Sequence, residues 1–224
     1  MLAITLILIE VVIWLSLRFL VKNEKLHKIL RGCTWIVLVI WAVHYGIRDF
    51  ARFDVLSFIL ILPVTYAVYL LSLYIVGTKF TKTNLLPFEV FKAKGKLVTS
   101  LKRESLRNLY SASYEELLYR WFLQNALYEL TRSVVVSIVV AALVFGAVHI
   151  SKKKAIVQHI DIFTFSIVIT IWFYFTANPI YSSLIHILRN QLVICQKYTL
   201  LKEEQERTLK YLKIMHERMI PKND

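Results

Sequence analysis

Long apolar runs separated by short polar connections dominate the sequence. The runs lie at about 1–20, 33–47, 55–76, 112–131, 133–150, 157–176 and 179–196. Most are close to the ~20 residues that an α-helix needs to cross a bilayer. The second run is short, and the fourth is polar for a span. The pattern therefore predicts an all-α, polytopic membrane bundle of about seven transmembrane helices.

The charge of the connections alternates along the chain. The basic connections are 21–32, 77–111, 151–154 and the segment after residue 196. The connections between them are balanced in charge at 48–54, nearly bare near Arg132 and uncharged at 176–179. Basic connections favour the cytoplasmic side of a membrane. The alternation predicts an N-terminus outside the membrane and a cytoplasmic C-terminus.

Two polar segments are expected to form helices outside the bilayer. Segment 77–111 is long for a loop, and its mixture of apolar residues and lysines favours one or two interfacial amphipathic helices. This segment would either gate a site or hold the chain at anionic lipid. In 197–224, apolar residues recur at helical spacing, which predicts a cytoplasmic helix. We therefore divide the chain into a transmembrane domain, 1–196, and a helical tail, 197–224.

Composition excludes an ordinary soluble domain. Of the 224 residues, 57% are hydrophobic, which is typical of a polytopic membrane protein. The net charge of +13 is explained by basic residues clustered between the apolar runs, so we expect no nucleic-acid partner. The first 20 residues lack a basic start and a cleavage site, which favours a retained span over a signal peptide. Cys33 and Cys195 show no zinc-type spacing and would be reduced thiols.

Two adjacent carboxylates stand in the fourth run, which is otherwise rich in Leu, Trp, Phe and Tyr. Glu116 and Arg120 are four residues apart with the acid first, the favourable order for an ion pair on a helix. Glu115 is rotated by about 100° and lacks this partner. A carboxyl group in apolar surroundings has a raised pKa, which suits a general base. We therefore expect Glu116 to be structural and Glu115 to carry chemistry.

Three more polar residues in the apolar runs attract attention. His149 closes the fifth run, and His186 and Asn190 share one helical face of the seventh. Each has a structural interpretation, as a solvated helix end or as a bond between helices. Under the predicted topology, however, they fall in the cytoplasmic half of the membrane together with the carboxylate pair, which favours one hydrated cavity. His159 and Asp161 are expected to face the cytoplasmic interface.

The spacing of these residues resembles a known family. Glu-Glu-x-x-x-Arg at 115–120, Phe-x-x-x-His at 145–149 and His-x-x-x-Asn at 186–190 are similar to the three motifs of the CAAX protease and bacteriocin-processing family, also called the abortive-infection proteases. The resemblance covers about 112–192, which would form the catalytic core. The first three runs and the tail resemble nothing specific.

The resemblance implies an intramembrane endopeptidase. Carried over by position, Glu115 and His149 would activate a water molecule. His186 and Asn190 would stabilise the oxyanion of the tetrahedral intermediate. Peptide hydrolysis needs such a base and such donors aimed at the developing charge.

The resemblance also implies that Glu116 and Arg120 support the geometry of the site, and it leaves the question of a metal open. Glu115, His149 and His186 could form a three-ligand zinc site, and the family has been described both as metalloproteases and as metal-free, glutamate-dependent enzymes. None of the spacings is a zinc signature such as His-Glu-x-x-His. We expect no cofactor, with zinc as the alternative.

We expect a multi-pass protein of a bacterial plasma membrane. Its partners would be membrane lipid and a peptide or protein substrate that enters from the cytoplasmic side, either of CAAX type or a bacteriocin or signal-peptide precursor. The alternative is a non-catalytic immunity or scaffold protein that keeps the motifs for structure. A small transporter would normally show an internal repeat, and none is evident. The sequence gives no basis for a prediction of the oligomeric state.

Overall fold

The computed structural model describes residues 54–78, 81–85, 96–150 and 155–219, and in isolation Ile29, Cys33 and Ile36. Every secondary-structure element in these segments is helical, which confirms the all-α prediction. The predicted span 1–20 lies outside the described residues, as does all but two positions of the predicted span 33–47.

The described segments contain the following helical elements. They are α1 (Val55–Val76), α2 (Lys82–Leu85), α3 (Lys96–Glu116), a π-helical segment (Leu117–Gln124), α4 (Asn125–Thr131), α5 (Val134–Val148), α6 (Ile156–Thr176) and α7 (Pro179–Met219).

Local sequence sets both ends of α1. The Asp54 carboxylate accepts a hydrogen bond of 2.9 Å from the Ser57 N–H, which satisfies one of the free donors at the start of the helix. At the other end Gly77 takes the left-handed conformation, with φ of 72°. Glycine adopts this conformation without steric cost, so it ends the helix cleanly.

The start of α7 is fixed in a similar way and is joined to α1. The Asn178 Oδ1 accepts from the Ile180 N–H at 2.9 Å, and Pro179 occupies the first helical position, where its missing N–H costs nothing. The Tyr181 hydroxyl donates to the Asp54 carbonyl oxygen at 3.2 Å. Helices α1 and α7 therefore begin at the same end of the bundle.

Two helices run through boundaries that the sequence suggested. Helix α3, the π-helical segment and α4 form one continuous helix, because Glu116 and Asn125 keep right-handed helical backbone angles where the hydrogen-bond pattern changes. The predicted limit between an interfacial segment ending at 111 and a span starting at 112 lies inside it. Helix α7 likewise continues past residue 196. The division into 1–196 and 197–224 remains a prediction.

Two of the described helices, α1 and α6, are long and apolar enough to cross a membrane, and α5 is a shorter apolar helix. In α1 the side chains of Leu56, Ile59 and Leu62 are 61–68% exposed. Such an apolar surface is expected where a helix contacts lipid. The predicted number of about seven transmembrane helices is not confirmed, because only these two described helices have the length and composition of a span.

The buried core lies where the π-helical segment, α5, α6 and the start of α7 meet. Its members include Phe122, Phe145, Ile169, Phe173 and Ile185. At Gly146 a Cβ atom would lie 3.2 Å from Phe163 Cδ2, so glycine allows α5 to approach α6 closely. This approach places the end of α5 beside α6 and the adjoining face of α7.

Candidate active site

Three residues that the sequence singled out meet at the C-terminal end of α5. The Glu115 Oε2 atom lies 3.6 Å from His149 Nε2 and 3.9 Å from His186 Nε2. The side chains of Glu115 and His149 are 18% and 27% exposed, whereas that of His186 is 4% exposed. The cluster therefore has one closed side and one side that solvent can reach. The catalytic roles of these residues remain a prediction.

Glu116 points the other way and is fully buried. Its Oε1 accepts a hydrogen bond of 2.8 Å from His186 Nδ1, and its Oε2 lies 3.3 Å from Arg120 Nε, an ion pair with both side chains at 0% exposure. Arg120 Nη2 donates to Ser166 Oγ at 3.1 Å. These contacts join the helix that carries the Glu doublet to α6 and α7. Removing one member of such a buried pair costs about 3–5 kcal/mol.

The partners of the two Nδ1 atoms fix the hydrogen positions on the imidazoles. His186 Nδ1 faces a carboxylate, and His149 Nδ1 lies 2.8 Å from the Phe145 carbonyl oxygen. Both partners can only accept, so each Nδ1 carries a hydrogen and donates it. In the neutral rings both Nε2 atoms are then acceptors, and they face the acceptor Oε2 of Glu115. A water molecule between them would donate one hydrogen to Oε2 and the other to one of the two Nε2 atoms.

Two phenylalanine rings hold the imidazoles in place. The Phe145 ring centroid lies 4.4 Å from that of His149 and 5.9 Å from that of His186. The Phe165 centroid lies 4.8 Å from that of His186. Both phenylalanines are buried. Their packing restricts rotation of the imidazoles, which a defined reaction geometry requires.

Asn190, the fourth candidate, lies one turn along α7 from His186 and makes a different contact. Its Oδ1 accepts from Arg189 Nη1 at 3.1 Å. Arg189 also donates to Asp161 and to Ser72. Asp161, expected at the interface, is only 13% exposed and is held by this ion pair. The sequence analysis missed Arg189, although an arginine in an apolar run requires a partner and is itself a signal.

A groove of about 190 Å³ lies between α3 and α7, next to the cluster. Its lining residues are Glu104, Arg107, Asn108, Ser111, Asn190, Val193 and Ile194. Ser111 is one helical turn before Glu115, and Asn190 is one turn after His186. The groove therefore borders the faces of both helices that carry the cluster.

The donor atoms of the cluster, two imidazole nitrogens and a carboxylate, are of a type that zinc binds. Within the segments that the structure describes, however, no group of three or more His, Cys, Asp or Glu residues has the geometry to hold a metal ion. The expectation of a site without a cofactor stays a prediction.

Comparison with known proteins gives one family. Residues 106–192, which are 87 of the 224 residues, match the model of the family described as type II CAAX prenyl endopeptidase Rce1-like. No curated protein and no solved structure matches the chain significantly. With the two apolar helices, this match indicates a membrane protein. The match confirms, over residues 106–192, the resemblance to the CAAX protease and bacteriocin-processing family, and at family level it supports a CAAX-type intramembrane endopeptidase.

Proposed function

We propose that this protein hydrolyses a peptide bond of a membrane-associated peptide or protein, using a water molecule activated by Glu115. The observation that carries the proposal is the approach of Glu115 Oε2 to the Nε2 atoms of His149 and His186, at 3.6 and 3.9 Å. The family match over residues 106–192 supports the same class of reaction.

The first step is the activation of water. A water molecule in the cluster donates one hydrogen to Glu115 Oε2 and the other to His149 Nε2, which is an acceptor because its Nδ1 donates to a carbonyl oxygen. Glu115 takes the proton as the oxygen attacks the substrate carbonyl carbon. A C–O bond forms, and the electron pair of the carbonyl moves onto its oxygen. Proton transfer of this kind contributes about 10²–10⁴-fold to a rate.

The second step is the stabilisation of the oxyanion. Asn190 lines the groove beside the cluster, and we assign its amide Nδ2 as one donor to the oxyanion. His186 Nε2 is a donor in the imidazolium form, whose second proton comes from solvent before the substrate binds and is not consumed by the reaction. The buried carboxylate of Glu116 lies 2.8 Å from Nδ1, where it stabilises that charge. The intermediate then expels the amine, which leaves with the proton held by Glu115 as the C–N bond breaks. Removing one such donor typically costs about 10²–10³ in rate.

The groove between α3 and α7 is the approach that we assign to the substrate. It combines apolar Val193 and Ile194 with polar Asn108 and Ser111, which suits a peptide backbone with apolar side chains. Its far end carries the ion pair of Glu104 with Lys197, on the side that the charge pattern predicts to be cytoplasmic. The substrate classes that we propose are a CAAX-type C-terminus and a bacteriocin or signal-peptide precursor in a bacterial plasma membrane.

The test is peptide cleavage by the full chain in lipid nanodiscs. The substrates are a fluorogenic prenylated CAAX peptide and its unprenylated counterpart, and the variants are Glu115→Gln and Glu129→Gln. Glu129 pairs with Arg132 at an exposed helix end, about 20 Å along the helix from Glu115, so it is a matched control. We expect Glu115→Gln to lose at least about 10²-fold and the control to retain the wild-type rate.

A second assay covers a substrate of unknown sequence. Mass spectrometry of peptides from cells that carry wild-type protein or Glu115→Gln should reveal a precursor that accumulates only in the variant. If Glu115→Ala and His186→Ala both fold, reach the membrane and keep full cellular function, the protein acts without hydrolysis and the proposal is wrong.

A further inference from the structure

We infer that Arg189 is a positioning residue whose guanidinium fixes the amide of Asn190, so that Nδ2 is presented as the donor for the oxyanion. The inference rests on the proposed function and assigns a role to a residue at an unspecified position of the third motif. Its basis is the set of contacts that Arg189 makes with three helices.

Arg189 is held rigidly. It is 7% exposed, and its Nε and Nη2 donate to Ser72 Oγ on α1 at 3.3 and 2.8 Å. Nη2 also donates to Asp161 on α6. The guanidinium carbon lies 5.0 Å from the Phe165 ring centroid, and this ring in turn packs against His186. A guanidinium with so many partners has one orientation.

That orientation determines which end of the Asn190 amide faces the substrate. Nη1 of Arg189 lies 3.1 Å from the amide, and a guanidinium has donors only, so the atom that faces it must be Oδ1. The amino group Nδ2 then occupies the other branch of the amide. Without Arg189 the amide could turn over, and its oxygen would repel the oxyanion instead of binding it.

The charge of Arg189 is balanced locally, because Asp161 pairs with it. Its effect on the reaction therefore comes from the direction of the hydrogen bond rather than from a long-range positive field. Lysine keeps the charge but lacks the planar fork, so it cannot contact Ser72, Asp161 and Asn190 at the same time. Arg189→Lys is thus the substitution that separates orientation from charge.

A double-mutant cycle between Arg189 and Asn190 tests the inference. Cleavage kinetics of the full chain in nanodiscs are measured for Arg189→Lys, Asn190→Ala and the double variant, with thermal unfolding measured for each. We expect Arg189→Lys to lower kcat about tenfold with little change in KM, and to lower it no further when Asn190 is already Ala. Arg132→Lys, the same substitution at an exposed position, should leave kcat unchanged.

The outcomes distinguish a failure of the role of Arg189 from a failure of the proposed hydrolysis. If the losses of Arg189→Lys and Asn190→Ala multiply, Arg189 acts independently of the amide and the inference is wrong. If Asn190→Ala keeps full kcat, the oxyanion role of Asn190 fails and the inference fails with it, while hydrolysis by Glu115 still stands. Should Arg189→Lys not fold, Asp161→Asn loosens the same guanidinium, and its kcat loss must likewise vanish in the Asn190→Ala background.

Discussion

The two adjacent glutamates should respond in opposite ways to the same substitution. Glu116→Gln is expected to lower the stability of the protein, whereas Glu115→Gln is expected to remove activity and leave stability nearly unchanged. The structural reason is the difference in surroundings. Glu116 is fully buried between Arg120 and His186, while Glu115 is 18% exposed and faces two imidazoles.

The size of the effect at Glu116 follows from its contacts. A glutamine has one oxygen in place of two, so it can accept from His186 Nδ1 or face Arg120, but not both. The buried guanidinium then loses its counter-charge, which costs about 3–5 kcal/mol. For a chain of this size the unfolding temperature should fall by about 6–20 °C. When Glu115 is changed, Arg120 keeps its direct partner Glu116, and Glu115 itself is partly exposed, so we expect a change within about 1 kcal/mol.

Thermal unfolding in detergent and cleavage kinetics in nanodiscs measure both quantities for the same preparations. Glu129→Gln again serves as the control at an exposed ion pair. Equal losses of stability for the two variants would contradict the structural division between them. A stable Glu116→Gln together with a strongly destabilised Glu115→Gln would reverse the assignment and refute the reasoning.

Three further predictions concern packing, pH and metal. Gly146→Val should lower stability by about 1–3 kcal/mol, because its side chain would push into Phe163; thermal unfolding measures this. Burial opposes the charge of Glu104, but hydrogen bonds from Lys197 and Tyr198 outweigh it and lower the pKa from 4.5. Glu104→Gln should therefore lower the free energy of unfolding at pH 7 by up to about 1 kcal/mol. The difference in stability between the wild type and this variant should shrink below pH 4.5 and vanish below the lowered pKa. Elemental analysis of active, purified protein should find less than one zinc per chain, and one zinc lost together with activity on chelation would contradict the reaction by water and side chains alone.

The residues of the site could be found from the sequence because ionisable groups in apolar runs are costly. Glu115, His149 and His186 stand out for this reason, and the order of their helices suggested that they share one side of the membrane. The sequence could not give the direction of each imidazole. That direction depends on local acceptors such as the Phe145 carbonyl oxygen, which belongs to the backbone and leaves no trace in residue type.

The remaining differences arise from the backbone and from pairings over long distances. The π-helical pattern over Leu117–Gln124 is invisible to side-chain spacing, since Glu116 and Arg120 can pair in either type of helix. The bond of Arg189 to Ser72 joins residues 117 positions apart, and many other polar groups in the sequence could have been its partner. Helix spacing identifies neighbours within one helix. Pairs between residues of different helices are determined only by the packing of the whole bundle.

The arrangement of charges suggests how the site keeps its geometry while protons move. Two Arg–carboxylate pairs flank the imidazoles: Glu116–Arg120 and Asp161–Arg189. Each guanidinium lies over a phenylalanine ring, Phe145 at 4.7 Å and Phe165 at 5.0 Å, and both rings contact the imidazoles. Because such pairs are costly to break, they would hold their positions during the proposed proton transfer from water to Glu115. Fixed pairs around a more exposed carboxylate would provide the preorganised electrostatics that the proposed hydrolysis requires.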